Sequence, residues 1–320
     1  MDSFIERPTY NDTEVYWKHY QAFFSDELQI KENNLPTEEW WNWNDCQIHL
    51  DRLPCPESKT KVIMIHGAGG NGRLLAPYAR MLQLHGYEVV SPDLPPYGLS
   101  SAKQITSIDY QHWIQIITDL IEREIEQDGK PIVLLGASIG GMLAYHAASR
   151  NKKVKGLIVT TFVDTSKSKV RDQIAPNKVM SRSGKFIMDT FPYLLDSFRI
   201  SVSRVSRMKL ITNNSQLTQF IINDPLAAGT KISFRFLRTF LNMKPLVEPE
   251  NFDSCPILLV HPELDPMTPF ELSEPFYNRL KCKKAYVILE GAGHFPIEEP
   301  GIEQMREAVL SFIKEIEIDM

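Results

Sequence analysis

The sequence has few cysteines, no long apolar run and no excess of basic residues, and each shortage excludes a class of protein. Its four cysteines, in 320 residues, are too few and too scattered for a disulfide framework or a CxxC metal site. No stretch approaches the roughly 18 apolar residues of a membrane span, and residues 1–8 lack the apolar core of a signal peptide. We therefore expect a soluble, cytoplasmic protein with unpaired thiols at Cys46, Cys55, Cys255 and Cys282.

The net charge is mildly acidic, with 35 Lys and Arg against 40 Asp and Glu, or -5. A nucleic-acid partner is not expected, because neutralising phosphates requires a clear excess of basic residues. A hydrophobic fraction of 43% with 23% charged residues excludes disorder, collagen and coiled coil. The length permits one large α/β domain with an insertion, or two ordinary domains.

Short apolar runs alternate with helical patterns along most of the chain. The runs that predict buried strands are Lys61–His66, Glu88–Pro92, Pro131–Leu135, Lys155–Thr161, Pro256–Val260 and Ala285–Leu289. Amphipathic helices are predicted at Asp109–Gln127, Ser138–Arg150 and Ile302–Ile316. The fold class is therefore α/β, a mostly parallel sheet with helices on both faces. Gln47–Leu53 alternates in polarity and predicts an edge strand.

One interval breaks this alternation and divides the chain. The 87 residues 164–250 separate two predicted strands, which is far longer than a structureless loop tolerates. Their helical patterns predict an inserted cap, or lid. Residues 46–163 and 251–320 then form the core, and residues 1–45 form an N-terminal arm with a predicted helix over Asp12–Leu28.

The most informative motif is Gly-Ala-Ser-Ile-Gly at residues 136–140. It directly follows a predicted strand and directly precedes a predicted helix, which is the context of a nucleophile elbow. In such an elbow a sharp turn lifts the serine hydroxyl off the edge of the sheet. Ser138 is therefore the candidate nucleophile.

A serine nucleophile requires a base, and the base must be oriented by a carboxylate. His294 is the candidate base because it lies in a Gly-rich loop after the last predicted strand. Asp265, in the loop after the preceding predicted strand, is the candidate acid, with Glu263 and Asp164 as alternatives. The parallel strands bring these loops to one edge of the sheet, and the order Ser, Asp, His is that of a known triad version.

The oxyanion of a tetrahedral intermediate requires hydrogen-bond donors. We predict the backbone N–H of Ile139, at a helix N-terminus, and the N–H of Ala68, in the Gly-rich loop 66–72. That loop lacks the Lys-Ser/Thr ending of a P-loop, so a nucleotide is not expected. No cofactor and no metal ion are implied.

Together these motifs resemble α/β-hydrolase-fold serine hydrolases. The matching segments are His66–Gly70, Asp93–Ser100, Gly136–Gly141, Leu264–Asp265 and Gly293–Pro300. Within that family the chain is most similar to monoacylglycerol lipases, lysophospholipases and lid-bearing carboxylesterases. The resemblance implies a serine esterase or lipase that cleaves acyl-glycerol or lysophospholipid-type esters through an acyl-enzyme.

Other functions remain open on the same triad: amide cleavage by an aminopeptidase, thioester hydrolysis and C–C bond hydrolysis. A catalytically silent ligand receptor on a hydrolase scaffold is a further alternative. An aminopeptidase would need carboxylates in the cap to hold the substrate ammonium, whereas residues 164–250 carry 14 Lys and Arg against 7 Asp and Glu. The cap is thus +7 and the remainder -12, which disfavours the aminopeptidase.

The cap allows two interpretations. In a predicted helix over residues 231–243, Lys231, Arg235 and Arg238 recur at helical spacing and form a basic stripe beside apolar faces. The helix either packs on the core with a solvated face, or touches an anionic lipid surface while its apolar face lines an acyl tunnel. The expected partner is a small ester or lipid, with peripheral membrane contact through the cap, and dimerisation stays open.

Overall fold

The computed structural model describes residues 7–12 and 19–319, and their strands form a main mixed sheet and a separate two-stranded sheet. The strands are β1 (Thr37–Trp43), β2 (Cys46–Leu53), β3 (Lys61–Ile65), β4 (Glu88–Pro92), β5 (Ser101–Ala102), β6 (Ile132–Gly136), β7 (Val154–Val159), β8 (Arg199–Ser201), β9 (Lys231–Ser233), β10 (Ile257–Pro262) and β11 (Lys284–Leu289). The main sheet has the order β1-β2-β4-β3-β6-β7-β10-β11, and β5 pairs with β2 outside this order. The strands from β4 to β11 in this order pair in parallel, whereas β1 and β2 are antiparallel to their neighbours.

Helices cover both faces of the sheet and fill the insertion. They are α1 (Ala76–Leu84), α2 (Tyr110–Asp128), α3 (Ile139–Arg150), α4 (Ser168–Ile174), α5 (Lys185–Thr190), α6 (Pro192–Leu195), α7 (Val202–Val205), α8 (Ser215–Asn223), α9 (Phe234–Leu241), α10 (Phe270–Arg279) and α11 (Gly301–Asp319). The long helix α2 shows local control of its ends. The Asp109 carboxylate accepts a hydrogen bond from the N–H of His112, and Gly129 ends the helix with a φ of 73°.

Side chains that alternate along a central strand enter two separate cores. Ile63 and Ile65 of β3 belong to the core that contains apolar residues of α2 and α3. Val62 and Met64, on the other face, belong to the core that contains apolar residues of α1 and α11. Because both faces are buried, the strand is apolar at each position from Val62 to Ile65 and not at every second one.

The predicted α/β architecture is confirmed, and the six predicted strands match β3, β4, β6, β7, β10 and β11 within two residues at each end. One strand was placed wrongly. Gln47–Leu53, predicted as an edge strand, lies inside the sheet between β1 and β4. The edge is β1, which falls within residues 1–45 that the sequence assigned to the arm, so the arm contributes a strand to the sheet.

The helix predicted over Asp12–Leu28 is not continuous. Residues 13–18, with Val15 and Tyr16 of the predicted helix, lie outside the described residues. Beyond them, Gln21–Phe23 and Asp26–Leu28 are separate 3-10 turns, and Phe24 between them is extended. Its ring packs edge-on against Tyr78 and Phe295 at centroid distances of 5.9 and 6.1 Å, so packing on the core overrides helix propensity.

The segment between β7 and β10 contains α4 to α9 and the antiparallel pair β8–β9. The pair was not predicted, and it shows that the predicted basic stripe of Lys231, Arg235 and Arg238 does not lie on one helix. Lys231 begins β9 and therefore does not lie on α9 with Arg235 and Arg238. Both arginines also contact Asp196, at 3.7 and 2.6 Å, so their charges are partly compensated.

Backbone hydrogen bonds connect the insertion to the core. The N–H of Gly98, in the loop after β4, donates to the carbonyl of Leu226 at 2.8 Å. The N–H of Phe295, in the loop after β11, donates to the carbonyl of Ile211 at 3.0 Å. Leu226 and Ile211 of the insertion are therefore bonded to the loops at the carboxyl edge of the sheet.

Across residues 7–12 and 19–319, no helix has the length and hydropathy that crossing a bilayer requires. The four cysteines carry free thiols, and Cys46 and Cys255 are buried.

A buried ionic cluster joins β1 and β2 to the loops after β3 and β4. The fully buried His49 has Nε2 at 2.8 Å from Glu38 Oε2 and Nδ1 at 3.2 Å from Asp93 Oδ2. Arg73 donates to both carboxylate oxygens of Asp51, at 2.5 and 2.9 Å. Burial acts to lower the pKa of His49, but the surrounding carboxylates outweigh it and raise the pKa to about 10. The imidazole is therefore charged at neutral pH.

Replacing His49 tests this charge. We expect His49→Gln to lower the free energy of unfolding by about 3–5 kcal/mol near pH 6.5, because it leaves buried carboxylates without their cation. A raised pKa gives stability that is complete below the unfolded value near 6.5 and is lost as pH rises through 10. The difference between wild type and variant, measured by urea unfolding from pH 6.5 to 10, should therefore shrink. A constant difference would contradict a charged His49.

Candidate active site

Ser138 lies in a sharp turn between β6 and α3. Its φ of 53° and ψ of -125° are a conformation that residues with a side chain rarely adopt. Two glycines make the turn possible. A Cβ on Gly136 would lie 2.3 Å from the carbonyl oxygen of Gly140, and a Cβ on Gly140 would lie 2.4 Å from that of Ile65. The glycines of the motif are thus required by backbone contacts.

The Gly-rich loop after β3 approaches this turn closely. A Cβ on Gly67 would lie 2.9 Å from the Cβ of Ser138. His66 fixes the loop, because its Nδ1 lies 2.8 Å from the carbonyl oxygen of Gly67 and its Nε2 accepts the N–H of Leu94 at 2.9 Å. Burial lowers the pKa of His66, which favours the neutral ring that these two contacts require.

Two backbone donors lie beside Ser138. Ala68 and Ile139, the predicted oxyanion donors, both line a cavity that also contains Ser138 in its wall. Neither N–H donates a hydrogen bond to another described residue. These groups are therefore available to an oxygen bound in the cavity.

The structure brings the predicted acid and the predicted base together. Nδ1 of His294 lies 2.7 Å from Oδ2 of Asp265. Asp265 also accepts hydrogen bonds from the N–H groups of Met267 and Thr268 and from the Thr268 hydroxyl, at 2.9, 2.9 and 2.7 Å. Burial acts to raise the pKa of Asp265, but His294 and these donors outweigh it and hold the pKa well below its usual value. The carboxylate is therefore ionised at neutral pH and can keep the proton of His294 on Nδ1.

The alternative acids bond other residues and not the base. Glu263 accepts the N–H of Gly291 at 2.8 Å, and Asp164 accepts the N–H of Ser166 at 3.0 Å. Neither carboxylate contacts His294.

Other histidines near the sheet and its helices have structural environments of their own. His146 is buried on α3, and burial lowers its pKa to about 3. His261 ends β10, and its Nδ1 lies 3.1 Å from the carbonyl oxygen of Thr160. His112 contacts Asp109 at the start of α2.

The nucleophile and the base lie at the same edge of the sheet but are not bonded. No hydrogen bond joins the Ser138 hydroxyl to His294 among the described residues. Thr268, which contacts His294 Nδ1 at 3.2 Å, lines the cavity with Ser138, whereas His294 does not. Hydrogen bonds of this kind are often long before a substrate is bound.

The cavity beside Ser138 has a volume of about 340 Å³ and an almost wholly apolar wall. The insertion supplies most of it, with Met188, Val202, Met208 and Phe236 among the lining residues. Arg171 and Lys185 are the charged side chains of the wall, and among the described residues no Asp or Glu belongs to it. The site thus suits an apolar group more than a cation.

Sequence reasoning missed three residues of this region. His66 and Thr268 hold the loops that carry Ala68 and Asp265, and Tyr97 forms part of the cavity wall. Only Thr268 had a local signal, because a hydroxyl three residues after an aspartate is well placed to bond the carboxylate.

One group of side chains resembles a metal site. The ligand atoms of Glu38, His49 and Asp51 lie within 4.8 Å of one another. Arg73 already donates hydrogen bonds to the Asp51 carboxylate, and the His49 ring is protonated. These residues therefore do not fit a metal cation. They belong to the ionic cluster described above.

The fold and the elbow define the chain as an α/β-hydrolase-fold hydrolase. Residues 56–301 match the family described as serine aminopeptidase, S33 (Hydrolase_4), and the chain belongs to that family. The predicted resemblance is confirmed.

Several known proteins are similar to this chain over most of its length. The phospholipase YtpA of Bacillus subtilis (strain 168) is 26% identical over 256 residues, 78% of this chain and 93% of the relative. The crystal structure of a monoglyceride lipase from Saccharomyces cerevisiae has a TM-score of 0.73 and 17% identity, and the match covers 92% of this chain and 98% of the lipase chain. A monoacylglycerol lipase of Paleococcus ferrophilus has a TM-score of 0.69 and 22% identity, with 84% and 99% covered. At these identities the structural likeness shows the fold.

The backbone conformation of Ser138 gives a stability prediction. Ser138→Gly should be more stable than Ser138→Ala by about 1 kcal/mol, because glycine relieves a left-handed conformation that costs other residues about 1–3 kcal/mol. Ser149, inside α3, is the matched control. There glycine should be less stable than alanine by up to about 1 kcal/mol. Thermal unfolding of the four variants gives the stability difference between glycine and alanine at each position. A difference of the same sign at both positions would contradict backbone strain at Ser138.

Proposed function

We propose that the protein is a serine hydrolase that cleaves carboxylic esters of lipids, of the acyl-glycerol or lysophospholipid type. The observation that carries the proposal is the apolar cavity beside Ser138, lined also by Ala68 and Ile139, whose N–H groups bond no other described residue. The relatives named as a phospholipase and as monoglyceride lipases support a lipid ester as the substrate.

In the proposed mechanism Ser138 Oγ attacks the carbonyl carbon of the ester while Nε2 of His294 takes the hydroxyl proton. Asp265 keeps the other proton on Nδ1 and stabilises the imidazolium. The N–H groups of Ala68 and Ile139 donate to the oxyanion. Each such donor is typically worth about 2.7–4 kcal/mol of transition-state stabilisation.

The intermediate then collapses to the acyl-enzyme. The bond from the carbonyl carbon to the alcohol oxygen breaks, and His294 gives its proton to the departing alcohol. A water molecule repeats the sequence, with His294 as base, and releases the acid. No metal or organic cofactor takes part in this proposal.

The cavity sets the expected acyl group. A volume of about 340 Å³ is near the lower end of the range for ligand pockets, about 300–1,000 Å³. It suits one acyl chain of medium length. Because residues 164–250 supply most of the wall, we assign the insertion the role of a lid over the core.

An ester is favoured over an aminopeptidase substrate. The ammonium group of such a substrate requires a carboxylate, and the described wall offers two cations, Arg171 and Lys185, with no Asp or Glu. The electrostatics of the cavity therefore disfavour a positively charged substrate.

The catalytic roles are tested by hydrolysis of p-nitrophenyl esters of increasing chain length, beside aminoacyl p-nitroanilides. Ser138→Ala should reduce kcat at least about 10⁴-fold and abolish fluorophosphonate labelling. Asp265→Asn should reduce kcat about 10⁴-fold, because the amide favours the wrong tautomer of His294. Ser149→Ala and Glu263→Gln are the matched controls and should keep wild-type kcat. A Ser138→Ala variant that hydrolyses esters as fast as wild type would refute the mechanism.

An exposed apolar surface on the insertion supports contact with lipid. We call it the cap face: eight large apolar side chains between residues 179 and 198, each at least 42% exposed. They are Val179, Met180, Phe186, Ile187, Phe191, Tyr193, Leu194 and Phe198. Exposed apolar side chains in such number are typical of interaction surfaces, and the exposed Lys178 and Arg199 flank this segment in the sequence and add positive charge. We propose that the cap face binds a lipid surface peripherally.

Sedimentation with phosphatidylcholine vesicles, with and without phosphatidylglycerol, tests the cap face. The triple variant Phe186→Ser, Phe191→Ser, Leu194→Ser should lose at least about tenfold in vesicle affinity while keeping its turnover of a water-soluble ester. The matched control is Leu84→Ser with Ile318→Ser, since these side chains are also exposed but lie outside the insertion. Equal binding by both variants would contradict the assignment.

A further inference from the structure

The backbone N–H of Ser138 has a side chain, not a backbone carbonyl, as its partner. It donates to Oγ1 of Thr160 at 2.9 Å. The first N–H groups of a helix have no acceptor within the helix, and the left-handed turn removes Ser138 from the strand ladder. The threonine hydroxyl therefore supplies the acceptor that the elbow lacks.

Thr160 also contacts the strands on both of its sides. It directly follows β7 and is only 5% exposed. Its N–H donates to the carbonyl of Gly136 at the end of β6, at 3.1 Å. Its carbonyl oxygen lies 3.1 Å from Nδ1 of His261 on β10, the strand that leads to Asp265. One residue thus joins the strand of the nucleophile to the strand of the acid.

We propose that Thr160 is a positioning residue, which fixes the Ser138 hydroxyl relative to the acid and base by bonding the Ser138 N–H and, through His261, the strand of Asp265. The role rests on the proposed function of Ser138. Thr160 touches no reacting atom, and its contribution is geometric. A displacement of about 1 Å in a reacting group can cost about 100-fold in rate.

Thr160→Val removes the acceptor and keeps the branched shape of the side chain. The Ser138 N–H would then be left without a partner, and the turn would relax towards another acceptor. We expect kcat to fall about tenfold to 100-fold with KM within about twofold of wild type. The rate of fluorophosphonate labelling should fall with kcat. Thr160→Ser keeps the hydroxyl and should restore most of both.

Thr165→Val is the matched control. Thr165 is 2% exposed, and its hydroxyl donates to the carbonyl of Phe240 at 2.7 Å and not to a residue of the elbow. Its replacement should lower Tm by a similar amount to Thr160→Val and leave kcat unchanged. A loss of kcat confined to Thr160→Val thus separates positioning from general destabilisation.

The experiment measures kcat, KM, labelling rate and Tm for wild type and the three variants on one p-nitrophenyl ester. If Thr160→Val does not fold, Thr160→Ala replaces it and is compared with Thr160→Ser. Wild-type kcat and labelling in the hydroxyl-free variant would overturn the positioning role and leave the proposed function intact. Wild-type protein that neither turns over esters nor labels would overturn both. An equal loss of kcat in Thr165→Val would also overturn the proposal.

Discussion

The turn at Ser138 exists because neighbouring chain segments present backbone without side chains to it. Gly136 and Gly140 meet each other at a distance that no Cβ tolerates, and Gly67 approaches the Ser138 side chain from the loop after β3. Backbone atoms cannot rotate away as side chains do, so these contacts set the relative positions of β3, β6 and α3. Ala68, Ser138 and Ile139 line one cavity as a consequence.

Polar contacts join the loops around this turn in addition to apolar packing. The Asp93 carboxylate accepts the N–H groups of Gly72 and Leu99, each at 2.7 Å, and so joins the loops after β3 and β4. It also contacts the charged ring of His49. Buried polar networks of this kind specify one arrangement, because any other leaves a donor or a charge unpaired. The cavity wall is apolar, whereas the loops after β3 and β4 are joined by buried ionic and polar contacts.

The sequence predicted the parts of the fold whose signal is local. The strand Glu88–Pro92 has the predicted bounds. Both of its faces are buried, so its valines form a continuous apolar signal in the sequence. β1 was missed because its acidic and aromatic residues do not form an apolar run, and β9 because three residues carry no period. In the site, Asp265 and Glu263 follow the same strand, and only the contact with His294 distinguishes them. No spacing in the sequence indicates the hydrogen bond that the Ser138 N–H donates to Thr160.

The hydrogen bond from Phe295 to Ile211 has a consequence for exchanging parts between related enzymes. Phe295 directly follows His294, so the insertion supplies one of the anchors of the loop that carries the candidate base. An insertion grafted from another hydrolase would need to present a carbonyl at the same place, or the imidazole would lose part of its support. If the proposed function holds, a graft chosen to change the cavity would therefore also alter the support of the candidate base, His294.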